Sequence, residues 1–478
     1  MIPGASEALI ATLLSLVFFV GLGIRTSLRT ASDEDFWFAH RALTQQELAT
    51  TWSAGTVAYA VTVLYYMQMT SVFGWSIILI SLGTYMLGQF LFRAAAGRVA
   101  SDREFTTVGQ LVADKTGSKT AAALVEIAGL TSIFVLLYLE LLLGVNLAST
   151  LFATKSPYAE PALFLLMLCT IFGYVLFGGM RAVVDSDRWQ FRLIVCAVAV
   201  LALYGAILLF NGVQPNFSPV IPYITLDLKT QDIASFLLFG LAVNTFPLLC
   251  QNSLWQMATS SVPDGVRNGI KIGIRNSFLI FFVVVAVALV MRGNGQSVKD
   301  SQDLVVAVSS LGPVGQHLLF PLLFVGFIAA MISTTDNAMI ACGVTVRRLF
   351  PRLNDTSSPD SRFLSRLKIL GVISFAQLVL FVLFTYVWGR DFQGTFLNLL
   401  FFLFGQAAPL GALVAVIVFF PKNLRRGKLM TAGVTFAWLI GIAAFFASVN
   451  LGAPKIQFFA APLSVLIAFL SSFNFRRA

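Results

Sequence analysis

Charged residues and cysteines are both scarce in this sequence. Asp, Glu, Lys and Arg make up 11% of its 478 residues, whereas hydrophobic residues make up 58%. That balance excludes a soluble globular protein. The four cysteines are scattered through apolar stretches, at Cys169, Cys196, Cys250 and Cys342. Their scatter argues against disulfides and against a metal cluster.

Long polar segments are also missing. The longest breaks between apolar stretches, at 25–45, 93–118, 212–231 and 346–366, hold about 20–25 residues each. A kinase, nucleotidase or ligand-binding domain does not fit into segments of that length. The chain also has no P-loop motif, so ATP-driven transport is not expected. We therefore expect a protein that is not an enzyme.

What the chain does contain is a series of thirteen apolar stretches. Each holds about 18–25 mostly apolar residues, enough to cross a hydrocarbon core of roughly 30 Å as a helix. Backbone polar groups find no water in lipid, so helices are the expected spanning form. The sequence predicts an all-α integral membrane protein that forms a single transmembrane domain. Its spans are expected near 5–24, 47–69, 72–92, 120–152, 160–178, 189–211, 232–258, 272–291, 315–345, 367–388, 395–420, 429–449 and 456–474.

Basic residues alternate between the connections. Of the 32 Lys and Arg residues, 26 fall in every second connection and at the C-terminus, and six fall in the others. This positive-inside pattern predicts an external N-terminus and a cytoplasmic C-terminus in the plasma (inner) membrane. The net charge of +10 does not indicate nucleic-acid binding, because anionic lipid and topology explain these basic loops. The expected partners are the bilayer and a small solute, with no obligate protein partner evident.

Two spans are interrupted by small and polar residues. The second contains Thr51–Thr56 (TWSAGT), and the seventh contains Asn244-Thr245-Phe246-Pro247 with Gln251-Asn252-Ser253 beyond. Interrupted spans in matching positions indicate an inverted repeat with a binding site near the membrane midplane. The alternative is that Gly and Pro are simply common in membrane helices. We expect one repeat over about 45–211, a second over about 232–420, and flanking helices at 5–24, 429–449 and 456–474.

The ninth span carries a run of hydroxyls and a carboxylate, Ser333-Thr334-Thr335-Asp336. Such groups are costly in lipid unless they bind a ligand or pair with another group. Hydroxyl and carbonyl oxygens suit Na⁺, a hard cation. The alternative is that the hydroxyls bond back to the preceding helical turn. Asp336 lies one turn from Ser333 and is expected to pair with a cytoplasmic arginine.

A second polar signal joins the fifth and sixth spans. Gly178-Gly179 allows a tight turn there, and Asp187 is a candidate N-terminal cap of the sixth span. With the ninth span, this segment resembles the sodium:solute symporter family. The loop pattern of that family, Tyr-Thr-x-x-Gly-Gly-x-x-Ala-Val-x-x-Thr-Asp-x-x-Gln, is matched by Tyr174, Gly178, Gly179, Ala182, Val183, Asp187 and Gln190, with Val175 and Ser186 in its two Thr positions.

Other motifs of the family occur in the expected order along nearly the whole chain. Ala330, Ser333 and Thr334 match its cation-site helix, and Ser53-Ala54-Gly55 matches the residues before its first helix break. The resemblance implies a five-plus-five inverted repeat of the leucine-transporter type with flanking helices. It also implies Na⁺ as the coupling ion. The implied sodium ligands are the carbonyls of Thr56, Tyr59 and Ala330 and the hydroxyls of Ser333 and Thr334, and Asp187 matches an aspartate on the intracellular sodium exit path.

The expected solute pocket departs from the family pattern. Gln251 and Met257 stand where the family often has Asp and Arg, and Val57 and Ala58 are apolar where some members are acidic. Glu140 lies in the helix that faces the central site of this fold. It is expected either to read an ammonium group or couple protons, or to be a hydrogen-bonded structural carboxyl. The full set of solute-site candidates is Val57, Ala58, Tyr59, Glu140, Asn244, Thr245, Gln251, Asn252 and Gln406.

The sequence thus predicts a secondary active transporter that couples Na⁺ to the movement of a small organic solute by alternating access. The mostly uncharged pocket candidates favour a zwitterion, polyol or amide over a dianion. Two alternatives stay open at this point. One is a transporter-like membrane sensor of nutrients, and the other is an H⁺-coupled symporter.

Overall fold

The computed structural model describes residues 4–28, 32–76, 78–100, 105–151, 158–218, 237–353, 358–387, 399, 402–451 and 455–475. These residues form helices joined by short loops, and no strand occurs among them. We number the main helices in chain order: α1 (Ala5–Ser27), α2 (Asp33–Phe38), α3 (Gln45–Thr56), α4 (Tyr65–Phe73), α5 (Thr84–Val99), α6 (Val108–Thr116), α7 (Lys119–Ser149), α8 (Ala159–Phe210), α9 (Asn252–Thr259), α10 (Pro263–Gly293), α11 (Ser301–Ser309), α12 (Phe320–Leu349), α13 (Pro359–Val382), α14 (Ala408–Phe419), α15 (Lys428–Asn450) and α16 (Lys455–Ser472).

Several helices begin at a residue whose side chain caps the first turn. The side chains of Ser32, Thr44, Ser118, Asp300 and Ser358 each accept a hydrogen bond from a backbone N–H of the helix that follows. The first N–H groups of a helix have no partner within it, so such caps stabilise the helix start. These helix boundaries are therefore encoded locally in the sequence.

The apolar helices are long enough to cross a bilayer. In the described part of the chain, eight helices have the length and hydropathy of a membrane span, and the bent pair Leu237–Cys250 and Asn252–Thr259 makes a ninth. Each of the thirteen predicted stretches overlaps a helix, but the two do not map one to one. The stretches at 160–178 and 189–211 both lie in α8, whose 52 residues extend over roughly twice the length of one crossing. The protein is thus an all-helical membrane protein.

A kink at Gly179 divides α8. Gly179 has φ 57° and ψ −152°, a conformation that glycine alone adopts readily. The helix resumes at once, so Asp187 lies two turns inside its second half. The prediction that Asp187 caps the sixth span is therefore wrong, because the Gly178-Gly179 turn takes up fewer residues than expected.

The most deeply buried helix is α12. In the 18-residue apolar segment of Gly312–Leu349, 89% of the residues are buried inside the protein. The corresponding share is 28% in each of α1, α15 and the Asp360–Tyr386 helix. The α12 helix packs against α3, α7 and α8, whereas α15 packs mainly against α16. Polar groups at membrane depth are tolerated where protein rather than lipid surrounds them. Because other helices surround α12, its polar run is enclosed by protein.

Candidate ion and solute site

The first predicted interruption is a break in the helix that carries it. The α3 helix ends at Thr56, Val57 has φ −89° and ψ 70°, and Ala58 is extended with φ −73° and ψ 144°. The chain resumes as a π-helical turn at Tyr59–Leu64 and continues into α4. The polar run Thr51–Thr56 is itself helical. The break therefore falls just beyond the residues that signalled it.

Glu140 of α7 holds the second half of the broken helix. Its carboxylate accepts hydrogen bonds from the backbone N–H of Ala60, at 2.9 and 3.1 Å, and from that of Val61, at 3.3 Å. The side chain is fully buried. A helix N-terminus presents N–H groups without partners and a positive dipole end, and a carboxylate there satisfies both. Both oxygens of Glu140 are thus occupied in binding the helix, as expected of a structural carboxyl.

The hydroxyl run of α12 meets the end of α3. Ser333 Oγ donates a hydrogen bond to the carbonyl of Ala54 at 2.7 Å, in the last turn of α3. Thr334 Oγ1 donates to the carbonyl of Ala330 at 3.2 Å, one turn back along its own helix. All four residues are buried. The structure therefore brings Ser333 against the helix end that carries Thr56, whereas the Thr334 hydroxyl bonds back to its own helix.

Thr56 and Tyr59 lie on the two sides of the break, and their side chains are engaged with other elements. Thr56 Oγ1 lies 2.7 Å from Ser277 Oγ of α10, and its carbonyl accepts from Thr62 Oγ1 at 3.1 Å. The Tyr59 hydroxyl donates to Ser301 Oγ of α11 at 2.6 Å. These contacts fix the backbone on both sides of the break. The side-chain hydroxyls are engaged in these bonds, and the carbonyls remain the candidate ion ligands, because a carbonyl that accepts one hydrogen bond, as that of Thr56 does, has a second lone pair.

This arrangement suits a hard cation. The C-terminal end of α3 carries the negative end of the helix dipole. Broken helices in transporters present carbonyls of this kind to Na⁺. Hydroxyl and carbonyl oxygens are the only donors that the predicted ligand set brings to the break. A cation held by this ligand set would therefore have no carboxylate ligand.

A cluster of polar side chains continues from Ser333 toward the C-terminal end of α12. Asn337 Nδ2 donates to the Ser333 carbonyl at 2.7 Å and lies 3.3 Å from Asp187 Oδ2. Asp336 accepts from the Tyr174 hydroxyl, and from the backbone N–H of Asn337 at 2.5 Å. Both carboxylates are fully buried. A continuous chain of polar contacts thus joins Asp187 to the hydroxyl run.

The contacts of Asp336 correct the sequence-based expectation. Asp336 was expected to pair with a cytoplasmic arginine. The ion pairs between described residues do not include Asp336, and its oxygens contact Tyr174 and Asn337 instead. The reason is the kink at Gly179, which brings the end of the first half of α8 against α12. The arginines at the end of α12 bind other carboxylates: Arg347 binds Asp33, and Arg348 binds Glu126.

The second predicted interruption is also a break. Leu241–Thr245 forms a π-helical turn and Pro247–Cys250 a 3₁₀ turn. The chain then bends by 47° before α9. Gln251 is the extended residue at this bend, with φ −75° and ψ 104°. Gln251 thus occupies the same kind of position in its helix pair as Ala58 does in the first.

Asn244 and Thr245 pack against α5. Asn244 Nδ2 donates to Thr84 Oγ1 at 2.9 Å, and Thr245 Oγ1 donates to the Thr84 carbonyl at 3.0 Å. Gly88, one turn further along α5, has no side chain and admits the Asn244 carbonyl closely. These two candidates therefore join the second broken helix to α5.

Asn252 and Gln406 are engaged in networks away from the first break. Asn252 binds the backbone N–H of Val108 at 3.2 Å, Glu126 at 3.0 Å and Thr345 at 2.9 Å. Gln406 donates to the carbonyl of Ala128 and to Ser132 Oγ, both at 2.9 Å, and accepts from Trp438 Nε1 at 3.1 Å. Their amides hold helices together, so the structure does not bring these two residues to Val57, Ala58 and Tyr59.

A cavity of about 450 Å³ lies beside the start of α3. Its lining includes Thr44, Glu47, Thr50 and Arg188. Glu47 binds Arg181 at 2.9 Å and Arg188 at 2.7 Å, which ties α3 to the second half of α8. Arg188 directly follows Asp187 in the chain. The cavity therefore lies where the start of α3 meets the second half of α8.

Sequence reasoning missed two residues that the structure gives a central place. Asn337 directly follows the Ser333–Asp336 run and bridges Asp187 to it. Ser277 meets Thr56 across the helices. The position of Asn337 in a polar run of a buried helix could have identified it, whereas nothing near Ser277 in the sequence marks it out.

The fold of the chain matches solved transporter structures. A Na⁺-coupled sialic acid symporter superposes with a TM-score of 0.73 at 12% identity, over 97% of this chain and 96% of that chain. MhsT in complex with L-phenylalanine gives 0.62 at 14% identity, over 90% and 99%. A mutant form of the manganese transporter of Eremococcus coleocola gives 0.56 at 16% identity, over 92% and 96%.

By sequence, neither a protein-family model nor a curated protein matches the chain. The structures named above share 12–16% identity with the chain and therefore concern the fold. That fold is the one of leucine-transporter-type symporters, as the resemblance in the sequence implied.

Proposed function

We propose that this protein is a secondary active transporter that couples the inward movement of Na⁺ to that of a small organic solute. The observation that carries the proposal is the contact between the Ser333 hydroxyl and the Ala54 carbonyl, at the end of a broken and buried helix. The matching fold of a Na⁺-coupled sialic acid symporter supports it. A polar contact beside a broken, buried helix suits transport by alternating access rather than an enzymatic reaction.

The thirteen apolar stretches are proposed to cross the membrane, with the N-terminus outside and the C-terminus in the cytoplasm. The proposed repeats run over about 45–211 and 232–420, each beginning with a broken helix. The breaks at Val57–Ala58 and at Gln251 support this division. The packing of α15 mainly against α16 supports the role of these two as flanking helices.

The proposed Na⁺ ligands are the carbonyls of Thr56, Tyr59 and Ala330 and the hydroxyls of Ser333 and Thr334. Asp187 is proposed to lie on the path by which the ion leaves toward the cytoplasm. One observation supports that route: Asn337 connects Asp187 to the Ser333 carbonyl.

The proposed solute site lies between the two breaks. Val57, Ala58 and Tyr59 line the first, and Asn244, Thr245 and Gln251 belong to the second. Backbone that leaves helical geometry is tolerated at membrane depth only where protein or a water-filled cavity covers it. Glu140, Asn252 and Gln406 are proposed to shape this site by holding helices in place. The neutral character of the set favours a zwitterion, polyol or amide.

Binding measured with and without Na⁺ tests this function. Purified protein is screened by thermal shift against zwitterions, polyols and amides, each with Na⁺ or with K⁺ at equal ionic strength. A solute that raises the unfolding temperature far more in Na⁺ supports coupled binding, because two coupled ligands strengthen each other reciprocally. A stabilising solute that is indifferent to Na⁺ but sensitive to pH would favour H⁺ coupling. Binding without any transmembrane flux would favour a sensor.

A further inference from the structure

A groove on the side of the helix bundle runs between α5 and α10. It encloses a cavity of about 580 Å³. Its wall is mostly apolar, and polar and basic side chains collect toward the start of α10. Its lining includes Phe90 of α5 and Asn268, Lys271, Arg275 and Phe278 of α10. The groove thus changes from basic to apolar along the length of α10.

The basic end of the groove has no acidic partner in the described part of the chain. Lys271 and Arg275 are exposed and lie one turn apart on α10, and no ion pair joins either of them to a described carboxylate. Arg267 lies one further turn toward the helix start, where its carbonyl accepts a hydrogen bond from Arg93 Nε of α5 at 3.0 Å. The basic side chains at this end of the groove are therefore available to bind an anion.

The other end of the groove is exposed and apolar. Phe90 is 51% exposed and Phe278 is 42% exposed. Leu279 and Phe282 continue the apolar surface along α10, at 57% and 54% exposure. An inorganic anion would satisfy the cations and leave this wall uncovered. A molecule with a charged head and a hydrocarbon tail covers both parts.

We propose that this groove binds one anionic phospholipid, with its phosphate at Lys271 and Arg275 and an acyl chain along Phe90 and Phe278. The inference rests on the proposed insertion of the chain in a membrane. Basic pockets between membrane helices at the cytoplasmic surface suit such headgroups. The charge complementarity with an anionic head selects this occupant over a neutral lipid or a second copy of the chain.

The site has a direct link to the ion site. The face of α10 opposite the groove contacts α3: Asn276 Nδ2 donates to Ser53 Oγ at 3.3 Å, and Ser277 Oγ lies 2.7 Å from Thr56 Oγ1. Gly273 admits the Trp52 side chain without a Cβ between them. A lipid in the groove therefore backs the helix that positions the end of α3, and its binding should stabilise that pairing.

Native mass spectrometry of the purified full chain tests the proposal, with phosphatidylglycerol and phosphatidylcholine of the same chain length as probes. We expect one phosphatidylglycerol to bind in preference to phosphatidylcholine. The double variant Lys271→Gln/Arg275→Gln should weaken that binding roughly 30-fold, because each basic residue near a membrane surface contributes about fivefold. The matched control Lys422→Gln/Arg426→Gln removes two exposed basic residues outside the groove and should retain it.

Three results would overturn the proposal. Equal binding by the two double variants would mean that the headgroup lies elsewhere. Equal binding of the two lipids would mean that the groove holds a neutral lipid. Displacement by inorganic phosphate alone, with no effect of Phe278→Gln on lipid affinity, would mean a free-anion site. None of these readouts depends on transport, so the Na⁺-coupling proposal stands or falls separately.

Discussion

At the scale of single residues, Glu140 shows how a buried charge can serve the fold. Part of its environment follows from the sequence, since a carboxylate inside a membrane helix requires a partner. The partner itself does not follow, because it is a pair of backbone N–H groups exposed by a break 80 residues away. Only the packing of α7 against that break could reveal it.

Replacing Glu140 tests whether its role is structural. Glu140→Ala should lower the free energy of unfolding by about 1–3 kcal/mol for each N–H left unpaired. Glu140→Gln keeps one acceptor oxygen and should cost less. Titration with denaturant in mild detergent measures the free energy of unfolding of both variants. If Glu140→Gln leaves stability intact but changes which solute is bound, the carboxylate reads the solute and the structural role is wrong.

Replacing the hydroxyls of α12 tests the ion site. Ser333→Ala and Thr334→Ala should each raise the half-saturating Na⁺ concentration by about three- to tenfold, since each removes one ligand of modest strength. Neither change should lower the unfolding temperature markedly, because the hydroxyls are proposed to bind the ion rather than to stabilise the fold. Na⁺-dependent solute binding measures the effect.

The adjacent hydroxyl provides the control for that series. Thr335 is equally buried and lies outside the proposed ligand set, and its hydroxyl donates to the carbonyls of Met331 and Ile332, both at 2.9 Å. Thr335→Ala should leave the Na⁺ dependence unchanged. An equal shift in all three variants would indicate a general effect on α12 rather than the loss of a ligand.

At the scale of elements, the kink of α8 depends on one residue. Gly179→Ala should destabilise the protein by about 1–3 kcal/mol through backbone strain. The added Cβ would also come within 2.4 Å of the Phe36 carbonyl of α2. Gly173→Ala is the matched control, because a Cβ at Gly173 meets nothing within 4 Å. Thermal unfolding of the two variants should differ clearly, and equal behaviour would contradict this account of the kink.

The apolar pattern predicted the helices well, and the polar contacts between them poorly. Both interruptions were located to within a few residues, because small and polar residues accompany a break. Asn252 and Gln406 are solute-site candidates from the sequence because they lie in segments around the expected pocket where the chain departs from the family pattern. Their partners, Glu126 of α7 and Trp438 of α15, are distant in sequence, so the pattern could not distinguish a packing contact from a binding site.

At the scale of the whole molecule, polar contacts join helices on both sides of the breaks. On one side Glu47 binds Arg181 and Arg188. On the other side the Tyr59 hydroxyl binds Ser301, and Gln68 donates to the Lys299 carbonyl. Alternating access requires that one set of contacts breaks while the other holds. The ion pairs of Glu47 are therefore expected to hold the cytoplasmic side closed.

Loss of those ion pairs should open the cavity beside α3. Glu47→Gln should raise the rate at which a thiol reagent labels Thr50→Cys by about fivefold, because partly exposed pairs contribute about 1 kcal/mol. Mass spectrometry of the labelled peptide measures the rate. Glu34→Gln is the control, since Glu34 binds Arg41 within one local segment. An unchanged rate in the Glu47 variant would mean that other contacts keep this side closed.

The measurement that tests the central claim most directly is solute uptake into proteoliposomes under imposed ion gradients. The solute is the one found by thermal shift, and the gradient is of Na⁺ alone or of H⁺ alone. We predict accumulation above equilibrium with an inward Na⁺ gradient, none with an H⁺ gradient, and a demand for higher Na⁺ in the Ser333→Ala variant. Accumulation driven by H⁺ alone, or the same Na⁺ dependence in wild type and Ser333→Ala, would contradict a sodium site between α3 and α12.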